Sequence, residues 1–145
     1  MSIYGLTRAT NPISFVDITD RVVSQVCTAD IISRAFDELL DLMEIRLLTS
    51  GWITPDKTVG EANLINPVHW KVKRWMIEWV CMQTCLETMG ANDVNTAKDE
   101  KYAYKFQIYK ERQERYRDEI TVEMLLGTMP TAAGRASVSG RIFRG

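Results

Sequence analysis

Little in this 145-residue chain is suited to chemistry, since it holds one histidine, three cysteines and no glycine-rich phosphate loop or G-x-S-x-G elbow. His69 alone cannot form a triad without a nucleophile and an orienting acid beside it, so a polar surface or packing role is expected for it. Cys27, Cys81 and Cys85 are an odd number with no C-x-x-C pair. That pattern fits free buried thiols in a reducing compartment, without a disulfide. Cys81 and Cys85 stand at i,i+4, a spacing that can chelate a metal when further ligands such as Cys27 and His69 approach. Thiols within an apolar helix are ordinarily core residues, however, and no metal or other cofactor is expected. Nor is an enzymatic role.

Long apolar runs are missing too. The longest stretch without Asp, Glu, Lys or Arg runs from Met124 to Gly134, far short of the ~20 apolar residues a spanning helix needs. Residues Met1 to Ala9 contain no basic leader followed by an apolar run. The expectation is a chain made in the cytoplasm, with neither a secretory signal nor a membrane partner. What is present, 46% hydrophobic and 26% charged residues with only 4 Pro, is the profile of one soluble globular domain with a single core.

The net charge of −1 offers no bulk attraction to nucleic acid or to an acidic membrane. Its distribution is uneven. Residues 1–66 carry 5 basic and 9 acidic side chains, residues 67–126 carry 10 of each, and residues 127–145 carry 3 basic and none acidic. The two ends therefore suit different partners.

Residues 1–16 mix short apolar runs with an Asn11-Pro12 turn signal and read as an irregular or extended arm. Asp17 or Thr19 is expected to cap a short helix through Val26, and Thr28 a second helix. In the latter, Ile32, Phe36, Leu39, Leu40, Met43 and Leu47 line one face up to a stop near Gly51, while Asp37, Glu38, Asp41 and Glu44 form a solvated face. Residues 51–66 are rich in breakers and read as a long loop, a type that is often functional. Asn66-Pro67 then reads as the start of another helix, ending at Gly90.

That helix is apolar around most of its circumference. Val68, Val72, Trp75, Met76, Trp79, Val80, Gln83 and Leu86 make an expected core face, with Trp70, Ile77, Cys81 and Cys85 on another side. Cover on more than one side is implied. Either a subunit interface or a central core position would supply it, and three tryptophans fit both. From Asp99 to Leu126 no Gly or Pro intervenes, and Tyr102, Phe106, Tyr109, Gln113, Tyr116, Ile120 and Met124 repeat as one seam, predicting a single helix roughly 42 Å long. The tail from Thr128 reads either as a disordered terminus or, through Ser137 to Phe143, as a basic strand suited to docking on an acidic or open-edged partner.

The layout resembles the head-to-tail adaptors, or connector proteins, of tailed bacteriophages. It does so from about Thr28 to Leu126 and in the tail behind: an aromatic-rich middle helix, a loop, then a long helix with the pattern Asp99-x-x-Tyr102-x-x-Lys105-x-x-x-Tyr109-x-x-x-x-x-x-Tyr116. The resemblance implies an all-α small helical bundle with two to three long helices (17–126), an N-terminal arm (1–16) and an extended C-terminal arm (127–145). It further implies a non-enzymatic virion protein of the neck, assembled with itself as a ring, usually twelve-fold. A portal protein and a downstream neck or tail protein would be its partners, and DNA would meet it only by passage through the channel. Arg135, Val138, Arg141, Ile142, Phe143 and Arg144 would contact the portal. Trp70, Trp75, Ile77, Trp79, Tyr109 and Tyr116 are the residues expected at the subunit interface. The alternative is a small nucleic-acid-binding or regulatory protein using Lys71, Lys73, Arg74 and the Lys110/Arg112/Arg115/Arg117 stretch, although Glu111, Glu114 and Asp118 interrupt that footprint.

Overall fold

The computed structural model describes residues 6–7, 11–51, 62–65, 67–91 and 96–127. It is all-α, with three long helices packing as a small bundle. After a 3-10 turn at Phe15–Asp17, the helices are α1 (Arg21–Ser24), α2 (Ala29–Ser50), α3 (Trp70–Ala91), α4 (Thr96–Glu119) and α5 (Val122–Leu126). Among the described residues the extended pairing is confined to two two-residue segments, β1 (Leu6–Thr7) and β2 (Ala62–Asn63). These run parallel, with Leu6 opposite Ala62 and Thr7 opposite Asn63. No helix among the described residues is long and apolar enough to cross a membrane.

The chain forms two compact units, one of residues 11–38 and 70–120, the other of residues 1–10, 39–69 and 121–145. In the first, Ile13, Ile18, Val23, Ile32, Phe36, Val72, Trp75, Met76, Val80 and Tyr102 are buried. Trp75 is only 2% exposed, and its indole N–H donates to the Gln113 side chain at 3.1 Å. A buried indole and a buried amide thereby satisfy each other between α3 and α4, which avoids the desolvation cost of an orphaned donor. In the second unit, Leu39, Leu42, Met43, Leu47, Leu64, Val122 and Leu125 are buried, and the Ile65 N–H donates to the Leu125 carbonyl at 2.8 Å.

The α2 periodicity is as expected: Ile32, Phe36, Leu39, Met43 and Leu47 are buried, with Leu40 half-buried. Thr28 Oγ1 accepts from the Ile31 N–H at 3.3 Å as the helix cap. Elsewhere the structure departs from expectation. The cap of α1 is Asp20, not Asp17 or Thr19, and its Oδ1 accepts from the N–H groups of Val22 and Val23 at 2.9 and 3.2 Å. Helix α3 begins at Trp70, three residues after Pro67. Proline's fixed φ suits a helix start but equally an extended lead-in, so it does not by itself nucleate the turn. Leu86 and Trp70 are exposed, because α3 turns Glu78, Cys81, Thr84 and Cys85 inward together with the Trp75 face.

The helix expected from Asp99 to Leu126 is two helices. Thr121 adopts an extended backbone conformation and caps α5 through its hydroxyl, which accepts from the Met124 N–H at 3.3 Å. The break buries Val122 and Leu125 and leaves the expected seam residue Met124 half-buried. Most of the expected 51–66 loop lies outside the described residues, as do residues 92–95 and the arm beyond Gly127, while α3 runs on to Ala91 and α4 starts at Thr96, ahead of the expected Asp99.

Two glycines adopt left-handed backbone, Gly51 at φ 82° after α2 and Gly127 at φ 85° after α5. A Cβ on Gly127 would lie 2.6 Å from Ile65 Cδ1, whereas one on Gly51 would meet nothing within 4 Å. We expect Gly51→Ala to lower unfolding free energy by roughly 1 kcal/mol from backbone strain alone. Gly127→Ala should cost more, since Ile65 must also shift. Chemical denaturation of the two variants side by side checks the order, and equal losses would contradict the Ile65 contact.

Candidate functional site

In the first unit, the 3-10 turn, Thr19 and Asp20 ahead of α1, α3 and α4 line an open cleft of about 480 Å³. Its lining includes Val16, Asp20, Arg74, Ile77, Glu78 and Arg112. The cleft stands on two carboxylates in unlike circumstances.

Asp20 caps α1 and also accepts on Oδ2 from the Lys105 ammonium at 2.9 Å and from the Tyr109 hydroxyl. Its partial burial alone would raise its pKa, but the donors from Tyr109, Lys105 and the Val23 N–H outweigh that and hold it at about 2, against an ordinary 3.8. Tyr109 is pushed the other way, well above the usual tyrosine range, by burial and by donating to that carboxylate. One oxygen pair thus fixes the helix start and the side chain that walls the cleft.

Glu78 projects from the middle of α3 with its side chain only 3% exposed. Burial pushes its pKa up despite the opposing charges of Arg74 and Arg112. Arg74 Nε reaches its Oε2 at 3.0 Å and Arg112 approaches its Oε1 at 3.8 Å, but Oε1 accepts no hydrogen bond. The Arg74 and Arg112 side chains are about half exposed, at 49% and 45%. Arg112 also lies over the Tyr109 ring, 5.8 Å from its centre. Glu78, Arg74 and Arg112 all line the cleft, a buried carboxylate beside two guanidinium groups whose donors are directional and remain charged.

The remaining cleft carboxylate, Asp17, pairs with Lys73 at 3.3 Å. Lys71 pairs with Glu119 at 3.0 Å and Lys110 with Glu114 at 3.9 Å. The cations of the nucleic-acid alternative are thus interleaved with carboxylates in space as well as in sequence. Burial drives the Cys81 and Cys85 thiols up to about 12 and about 11 and raises Cys27 as well, so all three stay protonated at neutral pH. Among the described residues no group of three or more His, Cys, Asp or Glu side chains is placed to hold a metal ion.

Of the residues expected at a subunit interface, Trp75 is buried within its own chain. Trp79, Tyr109 and Tyr116 are half-buried, Ile77 lines the cleft, and Trp70 is 63% exposed. The six arm residues, Arg135, Val138, Arg141, Ile142, Phe143 and Arg144, lie outside the described residues. Sequence reasoning missed Asp20 and the Glu78 centre; the available signal was an acid at i+4 from Arg74 with apolar residues on both sides of it in α3. No protein-family model matches the chain, and no curated protein or solved structure matches it either.

The lowered pKa of Asp20 makes a signed prediction. A carboxylate with a folded pKa below its unfolded value contributes stability above the unfolded pKa, and loses it as pH falls through the folded one. Asp20→Asn should therefore lower stability by about 1–3 kcal/mol at pH 7 and flatten the loss of stability between pH 4 and the Asp20 value of about 2. Denaturant titrations across that range check both, and an unchanged acid slope would contradict the assignment.

Proposed function

We propose that this chain is a non-enzymatic structural protein of a tailed-phage neck, an adaptor that assembles with itself as a ring. In this reading it joins the portal of the head to the next neck or tail protein. The reading rests on the layout set out above and on one observation: large apolar side chains stand exposed around the charged cleft. Val16 at the cleft is 84% exposed, and Phe15 beside it and Trp70 on α3 are also exposed. Trp70, Arg74, Ile77 and Cys81 follow one another at helical spacing along α3, so the exposed indole and the cleft belong to one face. Apolar groups beside half-exposed arginines have the composition of a protein-binding surface, where Trp, Tyr and Arg dominate the energetics.

The mechanism is binding. Subunits bury apolar groups against one another, and the basic segment beyond Gly127 engages the portal, where many weak contacts on a ring add through high effective concentration. The nucleic-acid alternative has less support, because the cations of α3 and α4 are matched by Asp17, Glu78, Glu114 and Glu119.

Deleting residues 128–145, just past the Gly127 cap, should leave the helical circular-dichroism signal intact and abolish attachment to a portal protein, read by co-sedimentation and electron microscopy. Unchanged attachment would overturn the arm's role. Binding of the intact chain to duplex DNA that falls steeply with log salt, without any portal attachment, would favour the alternative instead.

A further inference from the structure

We infer that the cleft of the first unit is a binding site for a neutral carboxamide carried on a short aliphatic group, with Glu78 Oε1 and the Arg112 guanidinium as its hydrogen-bonding partners. The inference goes beyond the neck assignment and does not depend on it.

One atom marks the site. Glu78 lines the cleft, yet its side chain is only 3% exposed and its Oε1 accepts no hydrogen bond. A buried carboxylate oxygen without a donor is costly, and a ligand that donates to it removes that cost. Arg112 Nη1 stands 3.8 Å away, beyond hydrogen-bond reach. The Arg112 guanidinium lies over the Tyr109 ring, and the Tyr109 hydroxyl donates to Asp20, so stacking on an anchored ring holds Arg112 back from the acceptor. A donor and an acceptor therefore face a ligand with a gap between them.

Charge narrows the class. The lining carries three carboxylates, Asp17, Asp20 and Glu78, beside the guanidinium groups of Arg74 and Arg112. Lys73 and Lys105 pair with Asp17 and Asp20, so neither sign is in marked surplus. An ionic ligand would lose its hydration with no excess of opposite charge to receive it. A neutral group that both donates and accepts loses less, and a carboxamide does both from one carbon: its N–H suits Oε1 and its C=O suits a guanidinium. Val16, 84% exposed, and Ile77 add aliphatic surface to the lining, which suits an aliphatic group beside the amide.

Oε1 is shut off from solvent, so Arg112 swings aside as the ligand enters. Its side chain is about half exposed and also lines a smaller hollow of about 140 Å³ with Lys105, Ile108 and Tyr109, which gives it room to move. The cleft itself, at about 480 Å³, falls within the roughly 300–1,000 Å³ of small-molecule sites.

Nuclear magnetic resonance titration of the full-length chain with isovaleramide tests this. Three compounds with the same isobutyl group serve as comparisons: methyl isovalerate lacks the N–H donors, isovalerate is an anion and isopentylammonium a cation. The amide should give saturable shifts at Val16, Ile77, Glu78 and Arg112, the Arg112 side-chain Nε–H included. Each comparison compound should bind at least about fivefold more weakly. Glu78→Leu, which removes the acceptor at similar volume, should weaken amide binding by at least about fivefold as well. Circular dichroism confirms folding, and if that variant does not fold, the amide-to-ester ratio on the wild type asks the same question of Oε1.

No saturable shift, shifts confined to other residues, unchanged affinity in folded Glu78→Leu, or equal binding of the ester would each overturn the inference. Binding of isovalerate as tight as the amide's would overturn it in favour of an anion site on the arginines, and of isopentylammonium in favour of a cation site on the carboxylates.

Discussion

The Asp20 carboxylate is the point at which α1 and α4 are tied. One of its oxygens accepts two backbone N–H groups at the start of α1, and the other takes the Lys105 ammonium and the Tyr109 hydroxyl. Each donor favours the ionised form, which is why partial burial does not raise its pKa. The cleft follows from this: Tyr109 is held against α1, Arg112 rests over the Tyr109 ring, and Arg112 is thereby presented toward Glu78.

Glu78 is the counterpart, an acid whose burial outweighs the charges around it. A buried ion pair is weak support for stability because desolvating the charges can exceed their attraction. Its orphaned Oε1 and raised pKa place Glu78 in that category, in contrast to Asp20. What Glu78 does supply is a fixed counter-charge, 3.0 Å from Arg74 Nε and 3.8 Å from the Arg112 guanidinium. Holding the arginines in advance reduces the side-chain entropy a partner must overcome on docking.

How far the sequence could be read depended on whether a signal was local. The apolar stripe of α2 was legible because Ile32, Phe36, Leu39, Met43 and Leu47 recur at helical spacing and a glycine at positive φ follows the stop. Choosing among Asp17, Thr19 and Asp20 as the α1 cap was not possible locally, because all three have suitable oxygens. The choice is made by Lys105 and Tyr109, 85 and 89 residues away. The break after α4 was hidden for a similar reason: no Gly or Pro marks it, and a threonine hydroxyl together with the burial of Val122 and Leu125 sets the new helix. On α3, two inward sides were anticipated, but a helix rich in apolar residues all round gives hydrophobic periodicity too little contrast to say that Leu86 and Trp70 would face outward.

The same ambiguity bears on why α3 is so apolar. Within one chain the helix already buries Val72, Trp75, Met76, Val80, Cys81 and Cys85, so much of the demand for cover is met internally and does not require a neighbour. The residual demand is concentrated where Trp70 continues toward Arg74 and Ile77, next to the exposed Phe15 and Val16. A hydrophobic surplus spread over a whole helix would favour indiscriminate association. Here the surplus is small and lies beside charged side chains of both signs, so a surface that covered it would be selected by its charges while apolar burial supplied the driving force.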